Sequence, residues 1–307
     1  MRKFGYFLLF IAALTYVSCG DDDGESDQPV SANANANTGA EATYVKTETG
    51  AVSSQFINRV EMPHLQAGDV FIVHQATDMT GNPVNYSVAY VTESHHSRWV
   101  AFRFDTQMSE KKVGRKDYYT YPQYPRDPLY SGTPADDVSF SGYQHGHLCA
   151  SNDRICSRVA NDQTFYMSNM SPMLGRFNED YWTLYESYVQ GLARSKNFAD
   201  ILYVVKGGTI SSGQTMGTIS AGGSRMPVPQ YYFIALLKYK SGNYTAIGFW
   251  VEHREYNTIS DSWAEISKHA VSIDELEEKT GIDFFCNLPD KVENAAEASA
   301  MVNAWKN

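Results

Sequence analysis

The side chains that could carry out chemistry are concentrated between residues 143 and 186. They comprise imidazoles, amides and a carboxylate: His145, His147, Asn169, Asn178 and Glu186. Amide and carboxylate oxygens suit a hard cation such as Mg²⁺, which keeps several of its waters when it binds a protein. A neutral imidazole can take a proton from water near neutral pH. Such a set can hold one hard cation and one water.

The order of the residues around these groups is more specific than any one of them, because a lone Gly-His pair is common. The ordered series is Gly146-His147, Ser168-Asn169, Pro172, Phe177-Asn178, Trp182 and Glu186. It resembles the DNA/RNA non-specific endonucleases of the ββα-metal (His-Me finger) class, over about residues 60 to 288. The resemblance implies metal-dependent, sequence-non-specific hydrolysis of phosphodiester bonds in DNA and RNA.

The resemblance also implies that Asn178 is the direct protein ligand of one Mg²⁺, for which Mn²⁺ or another divalent cation could substitute. Taken alone, Asn178 would be read as a helix N-cap, with two acidic residues following it in the first turn. Glu186 lies eight residues further on, about 12 Å along a helix. We therefore expect Glu186 to reach the cation through a bound water. Without the motif, it would be an exposed helical glutamate.

His147 is the predicted general base, and a base of ordinary imidazole pKa would make the rate rise between about pH 6 and 7. Mg²⁺ on the opposite side would stabilise the leaving 3′ oxygen. The competing interpretations are a structural histidine and a His-x-His zinc site, in which His145 and His147 would both bind metal. The second would make the protein a zinc-dependent hydrolase.

Two positions depart from the family pattern. Gln144 and His145 stand where Asp and Arg are usual. An imidazole at His145 would assist substrate binding only while protonated, whereas an arginine is always charged. Gln190 stands where some relatives carry an Arg. This loss of basic groups leaves a second function open, a surface nucleic-acid-binding lipoprotein with weakened catalysis.

Arg115 corresponds to the upstream arginine of the family, which stabilises the transition-state phosphate. We assign it to catalysis and to substrate binding. Asn169 is predicted to orient groups of the catalytic site, and the alternative is a turn residue that ends a strand at Thr164–Ser168.

The N-terminus predicts export. Arg2 and Lys3 precede an apolar run at residues 7–14 that is too short to span a membrane. Cys19 follows, and the acidic residues after it resemble the surface-export signal of Bacteroidetes lipoproteins. We expect a signal peptide at 1–18, a disordered acidic tether at 19–45 and an endonuclease domain at 46–307. Cys19 would then anchor the protein by lipid in the outer membrane or at the cell surface. Periplasmic location or ordinary secretion is the alternative.

The net charge of −10 argues at first against a nucleic-acid partner. However, the tether holds six of the acidic residues, and six basic residues lie between Arg98 and Lys116. Because salt screens repulsion beyond about 10 Å, a local basic patch can bind phosphates on an acidic protein. The alternative is a solvated strand edge. The remaining cysteines, Cys149, Cys156 and Cys286, allow either a Cys149–Cys156 disulfide or three buried thiols.

Apolar runs and turn residues predict an α+β fold with a central, mostly antiparallel sheet and helices packed on it. The predicted strands are 71–73, 86–91, 99–104, 202–205, 231–237 and 244–251. Helices are predicted at 179–193, from Ser272 to Gly281 with a capping box, and at 290–305. The Tyr-, Pro- and Gly-rich residues 118–133 are predicted as a long loop.

Overall fold

The structure is a computed structural model that describes residues 32–117, 119–195, 197–256 and 263–306. Its strands are β1 Thr43–Tyr44, β2 Val70–Gln75, β3 Val84–Val91, β4 His96–Phe104, β5 Gln144–His147, β6 Met170–Met173, β7 Ile201–Gly208, β8 Thr215–Ala221, β9 Ser224–Pro229, β10 Tyr231–Lys240, β11 Asn243–Glu252 and β12 Ala270–Val271. Its α-helices are α1 Arg158–Gln163, α2 Thr183–Arg194, α3 Trp263–Ile266, α4 Ile273–Thr280 and α5 Asp290–Glu297.

Eight of the described strands form one sheet in the order β1-β2-β3-β4-β7-β10-β11-β12. Neighbouring strands are antiparallel throughout, except that β1 is parallel to β2. Two smaller sheets pair β5 with β6 and β8 with β9. The prediction of an α+β fold with a mostly antiparallel central sheet is confirmed.

Both faces of the central sheet are covered. On one face, Ile72 packs in the same core as Tyr185 and Val189 of α2. On the other face, Phe71 and Trp99 share a core with Leu276 of α4. Two buried faces explain why the central strands are nearly continuous apolar runs rather than alternating patterns. All six predicted strands are present, and each extends beyond its predicted bounds.

The hairpin and the capping box follow local rules that the sequence carries. The turn between β10 and β11 has positive φ at Ser241 (49°) and Gly242 (87°), as two-residue hairpin turns require. At α4, the Ser272 hydroxyl accepts the Glu275 N–H at 3.1 Å, and Gly281 ends the helix with φ 67°. The predicted helix start at Ser272 and end at Gly281 are confirmed, and of the capping box the hydrogen bond to the Ser272 hydroxyl is present.

The C-terminal helix is shorter than predicted. α5 ends at Glu297, and a 3₁₀ turn at Val302–Trp305 follows Met301, whose φ is 37°. The Trp305 side chain is fully buried, with its ring centroid 5.6 Å from that of Phe198. The chain therefore leaves the helix and brings the indole into the core. Between β4 and β5 the described residues form no helix or strand, consistent with the predicted loop.

The prediction of a disordered tether is wrong for residues 32–45. β1 pairs with β2, and the Asn33 side chain donates to the Leu288 carbonyl at 2.7 Å. Asn37 is 5% exposed and accepts the Leu65 N–H at 2.8 Å. The Asn/Ala alternation buries little apolar surface, but its amides bind loops that are distant in sequence. Residues 1–31, including the predicted signal peptide and Cys19, lie outside the described residues.

Cys149, Cys156 and Cys286 are buried free thiols, so the Cys149–Cys156 disulfide is not formed. Within the described ranges, no helix is both long and apolar enough to cross a membrane.

Candidate active site

The ordered motif forms two short strands followed by helix. β5 and β6 are antiparallel, with Gly146 opposite Ser171 and His147 opposite Met170. A Cβ at Gly146 would lie 2.3 Å from the Met173 sulfur, so only glycine fits between these strands without rearrangement. The Gly of the Gly-His pair is therefore a packing requirement that places His147. The predicted strand at Thr164–Ser168 is wrong, because a 3₁₀ turn at Met167–Asn169 leads into β6 instead.

Asn178 lies inside a π-helical turn, Phe177–Trp182, which precedes α2. Its backbone N–H already donates to the Leu174 carbonyl at 2.9 Å, so the N-cap interpretation is wrong. Wide turns of this kind are frequent at functional sites. Phe177 and Trp182 are fully buried, and the half-buried Asn178 between them lines a cavity.

That cavity has a volume of about 580 Å³ and gathers most of the predicted site residues. Arg115, His145, His147, Asn178 and Glu186 all line it. Asn169 does not. The cavity therefore combines side chains from the loop after β4, from β5, from the π-helical turn and from α2.

His147 is 8% exposed, and its Nε2 atom is buried with no hydrogen-bond partner among the described residues. Its ring meets Phe165 edge-on at 5.0 Å between centroids. Burial, followed by the charge of Arg115, lowers the pKa of His147 to about 3. The imidazole is therefore neutral throughout the physiological range. The expectation that its titration limits the rate between pH 6 and 7 is not consistent with this environment.

Asn178 is oriented by Gln144, the residue that stands in place of the usual Asp. The Asn178 Nδ2 donates to Gln144 Oε1 at 2.8 Å. Gln144 in turn donates through Nε2 to Glu179. Because the amide nitrogen of Asn178 is used in this way, its Oδ1 remains available as a ligand. An amide oxygen and the nearby Glu186 carboxylate are hard donors, so the residues present fit Mg²⁺.

Glu186 lies close enough to a buried ion pair, Lys206 with Asp153, to be affected by its charges, and the sequence did not predict this pair. Burial raises the pKa of Glu186 to about 7, and the charge of Lys206 opposes this shift. Lys206 and Asp153 are fully buried and pair at 3.1 Å, and Gln190 donates to the other Asp153 oxygen at 2.9 Å. Gln190, which stands where some relatives have Arg, therefore hydrogen-bonds to the buried ion pair of Lys206 and Asp153. Lys206 directly follows the apolar residues Val204-Val205, and this position in a buried strand could have predicted a buried lysine with an acidic partner.

His145 does not match its predicted role. Its ring stacks between Tyr124 and Phe140, with centroid distances of 4.1 Å and 4.2 Å. Its Nε2 is hydrogen-bonded to the Val138 carbonyl at 2.8 Å, and burial lowers its pKa. A neutral ring whose N–H is donated to the backbone brings no charge to a phosphate. His145 therefore lines the cavity as an uncharged, packed ring.

The zinc interpretation also lacks the necessary ligands. His145 uses Nε2 for the Val138 carbonyl. Among the described residues, the one group of three or more His, Cys, Asp or Glu with metal-binding spacing contains neither His145 nor His147. Zinc sites in proteins normally take three or four such ligands.

Asn169 positions the backbone and does not reach the cavity. It is fully buried, and its Nδ2 donates to the carbonyls of Cys149 and Thr164 at 2.8 Å and 2.6 Å. Its Oδ1 accepts the Cys149 N–H at 2.8 Å. The amide thus ties the residues after β5 to the turn before β6. These contacts make Asn169 a positioning residue, which fits the orienting role predicted for it, and its catalytic contribution stays a prediction.

Of the basic stretch between Arg98 and Lys116, Arg115 reaches the cavity. Its guanidinium lies 5.3 Å from the centroid of the Phe165 ring, which also touches His147. Other members are neutralised locally: Arg98 binds Asp69 with two hydrogen bonds, and Lys112 pairs with Glu110. The stretch is therefore not a uniform phosphate-binding surface.

Comparisons with known proteins identify the family of this chain. The sequence model for DNA/RNA non-specific endonuclease matches residues 66–291. Nuclease C1 of Cunninghamella echinulata var. echinulata is 27% identical over 213 residues, covering 66% of this chain and 81% of that protein. Mitochondrial endonuclease G of Caenorhabditis elegans is 31% identical over 179 residues. That alignment covers 54% of this chain and 55% of the relative, so the chain spans about half of its length.

A solved structure supports the fold. The crystal structure of the EndoG/EndoGI complex matches with a TM-score of 0.56 at 20% identity, over 67% of this chain and 85% of that one. The family match covers most of the chain, including the two short strands, the π-helical turn and α2. The protein belongs to the DNA/RNA non-specific endonuclease family and is a nuclease.

Proposed function

We propose that this nuclease is a Mg²⁺-dependent endonuclease that hydrolyses DNA and RNA without sequence preference, with His147 as its general base. One observation carries the proposal. His147 lines the same cavity as Asn178 and Glu186, its ring is neutral, and its Nε2 is buried without a partner among the described residues. A buried imidazole nitrogen without a partner is unfavourable in the resting protein, and a water bound there would donate to it. A pKa of about 3 makes the ring a weak base in the resting protein, and the negative charge of a bound phosphate would raise its basicity.

The reaction needs a proton acceptor and a stabiliser of negative charge. His147 accepts a proton at Nε2 from the attacking water, whose oxygen forms a bond to phosphorus while the bond to the 3′ oxygen breaks. Asn178, through Oδ1, and Glu186, through a water, would hold the cation. A bound Mg²⁺ supplies charge stabilisation to the leaving oxygen. Arg115 donates to the phosphate oxygens, on which negative charge accumulates in the transition state.

The absence of sequence preference follows from the groups that line the cavity. Arg115, Asn178 and Glu186 are suited to bind a phosphate and its cation. The phosphate and the cation are the same whatever the base sequence. Both DNA and RNA present that phosphate. We therefore propose both polymers as substrates.

A nucleic-acid-binding protein with weakened catalysis is the second candidate. It is favoured by the packed, neutral state of His145, which leaves this position without the charge that an arginine would provide. Turnover of plasmid DNA in Mg²⁺ distinguishes the two candidates.

The decisive experiment measures plasmid nicking and Mg²⁺ affinity on three purified proteins: the wild type, His147→Ala and Asn178→Ala. We expect His147→Ala to lose cleavage while it still binds Mg²⁺. Asn178→Ala should need much more Mg²⁺ and recover part of its activity at high concentration. Full activity in His147→Ala would reject the mechanism, and no cleavage by the wild type would favour the binding protein.

We also propose that Cys19 carries a lipid that anchors the protein in the outer membrane or at the cell surface. The support is the short apolar run at 7–14 and the acidic residues after Cys19. Cys19→Ala should release the protein from the membrane fraction, whereas the neighbouring control Ser18→Ala should not. If Cys19→Ala stays with the membrane, the anchor lies elsewhere.

A further inference from the structure

A second group of acidic side chains lies outside the cavity, between the last two α-helices. Asp274 and Glu277 lie one turn apart on α4, and Glu297 is the last residue of α5. One carboxylate oxygen from each residue lies within 4.8 Å of those of the other two. None of the three lines the catalytic cavity.

Glu297 is the buried member of this group. Glu297 is 4% exposed, and its Oε1 atom is buried without a hydrogen-bond partner among the described residues. A carboxylate removed from water in this way is strongly destabilised unless a cation or a proton meets it. The buried, unpaired carboxylate of Glu297 faces the oxygens of Asp274 and Glu277.

The surroundings add more negative charge. Asp283 and Glu293 lie close enough to Glu277 and Glu297 to act on their charge. Asn35 donates its Nδ2 to both Asp283 and Glu293, at 3.1 Å and 3.0 Å to their nearer oxygens. The hydrogen bonds of Asn35 satisfy these two carboxylates in part without supplying a positive charge.

No lysine or arginine of the described chain compensates this charge by a close ion pair. Lys279, on the same helix, pairs with Glu275 instead at 3.3 Å. Among the described residues, the group of Asp274, Glu277 and Glu297 therefore lacks a close positive charge.

We propose that Asp274, Glu277 and Glu297 bind one divalent cation of the Ca²⁺ class, which fastens α5 to α4. The donors are all oxygens, as hard cations prefer. Two oxygens bound to one Ca²⁺ are at most about 5.2 Å apart, twice the longest Ca²⁺–oxygen distance of about 2.6 Å. The three oxygens, within 4.8 Å of one another, are therefore spaced as ligands of one ion. Mg²⁺ requires shorter bonds and a stricter octahedron, which donors on two separate helices fit less well.

The cation would have a structural role, separate from the catalytic one. It would join α4 to the C-terminal helix, and Asn35 would link the N-terminal residues to the same group through Asp283 and Glu293. Segments that are distant in sequence would then depend on Ca²⁺ for part of their stability.

The test uses thermal unfolding and calorimetric titration of the purified protein after removal of divalent cations with a chelator. In the Asn178→Ala background, which removes the proposed catalytic ligand, we expect one Ca²⁺ to bind per chain. At about 100-fold excess over Kd, the Tm should rise by about 5 °C or more. Glu297→Gln, in the same background, should abolish both the binding and the shift.

Glu278→Gln is the matched control, because Glu278 is an exposed glutamate on α4 and its substitution removes the same charge. It should retain the full Ca²⁺ response. Asp274→Asn, at an exposed position, should weaken the response without any risk to folding from a buried substitution. If Ca²⁺ leaves the Tm of the Asn178→Ala protein unchanged, the three carboxyl groups do not bind Ca²⁺ and the proposal is wrong. Neither result bears on the nuclease assignment.

Discussion

Two buried histidines, His74 and His147, have opposite properties. His74 is fully buried between two carboxylates, with Nδ1 2.6 Å from Glu48 and Nε2 3.0 Å from Asp127. Burial lowers its pKa, but these carboxylates more than offset the effect and raise the pKa to about 10. His147 has no carboxylate partner in the described part of the chain, and burial with the charge of Arg115 lowers its pKa to about 3. Both rings are buried, so the difference between their pKa values comes from the neighbouring charges.

The difference separates a structural histidine from a functional one. The charged His74 is held by a network that also contains Ser168, whose hydroxyl donates to Asp127. Ser168 adjoins Asn169, so this network supports the turn that leads into β6. The neutral His147 has a nitrogen without a partner among the described residues and faces a cavity. The polar groups around His74 stabilise the fold, whereas a ring nitrogen of His147 stays available for a reaction.

The largest expected effect concerns the functional histidine. His147→Ala should lower the rate of cleavage by about 10² to 10⁴-fold, the usual contribution of a general base, with little change in stability. Single-turnover cleavage and urea unfolding of the same preparations measure both. A stability loss equal to that of a core mutation would mean that His147 is structural, like His74.

The structural histidine should behave in the reverse way. Asp127→Ala leaves the buried charge of His74 with one fewer partner, and the loss of one member of a buried ion pair destabilises a protein by about 3 to 5 kcal/mol. The remaining folded protein should cleave plasmid DNA at a rate near that of the wild type. An exposed acid such as Asp136 provides the control substitution, Asp136→Ala, for which we expect almost no effect on stability.

Stability should decrease at alkaline pH. Because the pKa of His74 in the folded protein, about 10, lies above its unfolded value near 6.5, its contribution is complete below about pH 6.5. It is then lost as pH rises towards 10. We expect unfolding free energy to fall by on the order of 1 to 2 kcal/mol between pH 6.5 and 8.5. His74→Gln should be less stable at pH 6.5 and show a flatter profile; an identical slope would rule out His74 as its source.

The charge difference itself can be observed by NMR. The imidazole signals of His147 should be those of a neutral ring from pH 5 to 8, whereas those of His74 should be those of a charged ring over the same range. A titration of either ring near pH 6.5 would remove the contrast between them.

The smallest predicted effect concerns Gln144, which orients the proposed ligand Asn178 without a charge. Gln144→Ala should weaken Mg²⁺ binding by about 10-fold, the lower end of the usual effect of such orienting groups. Gln144→Asp, which restores the residue usual in the family and can accept the same Asn178 N–H, should retain most of the affinity. Equal affinities in the wild type and Gln144→Ala would show that Asn178 needs no such support.

Much of the fold was predictable because it follows local patterns. The apolar runs of β2, β7 and β10 cannot remain exposed, and the turn at Ser241-Gly242 follows from residues that tolerate positive φ. β5 and β6 were missed, since Gln144–His147 has no strand composition and its pairing depends on Gly146 fitting against Met173. The ordered structure around Asn33 and Asn37 was also not predicted, because the hydrogen-bond partners of these side chains lie in loops that are distant in sequence.

By itself, the sequence determined the family, the series from Gly146-His147 to Glu186, and the apolar segments that must be buried. The family follows from the resemblance of that ordered series to a known family, and the buried segments follow from the local periods of strands and helices. The tertiary structure alone decided which polar atoms are satisfied. It places His145 between two rings, ties Asn169 to the backbone and brings the charge of Lys206 near Glu186. It also leaves Nε2 of His147, a residue that lines the cavity, without a partner among the described residues. Burial and charge partners set these states, and both come from residues that only the folded chain brings together.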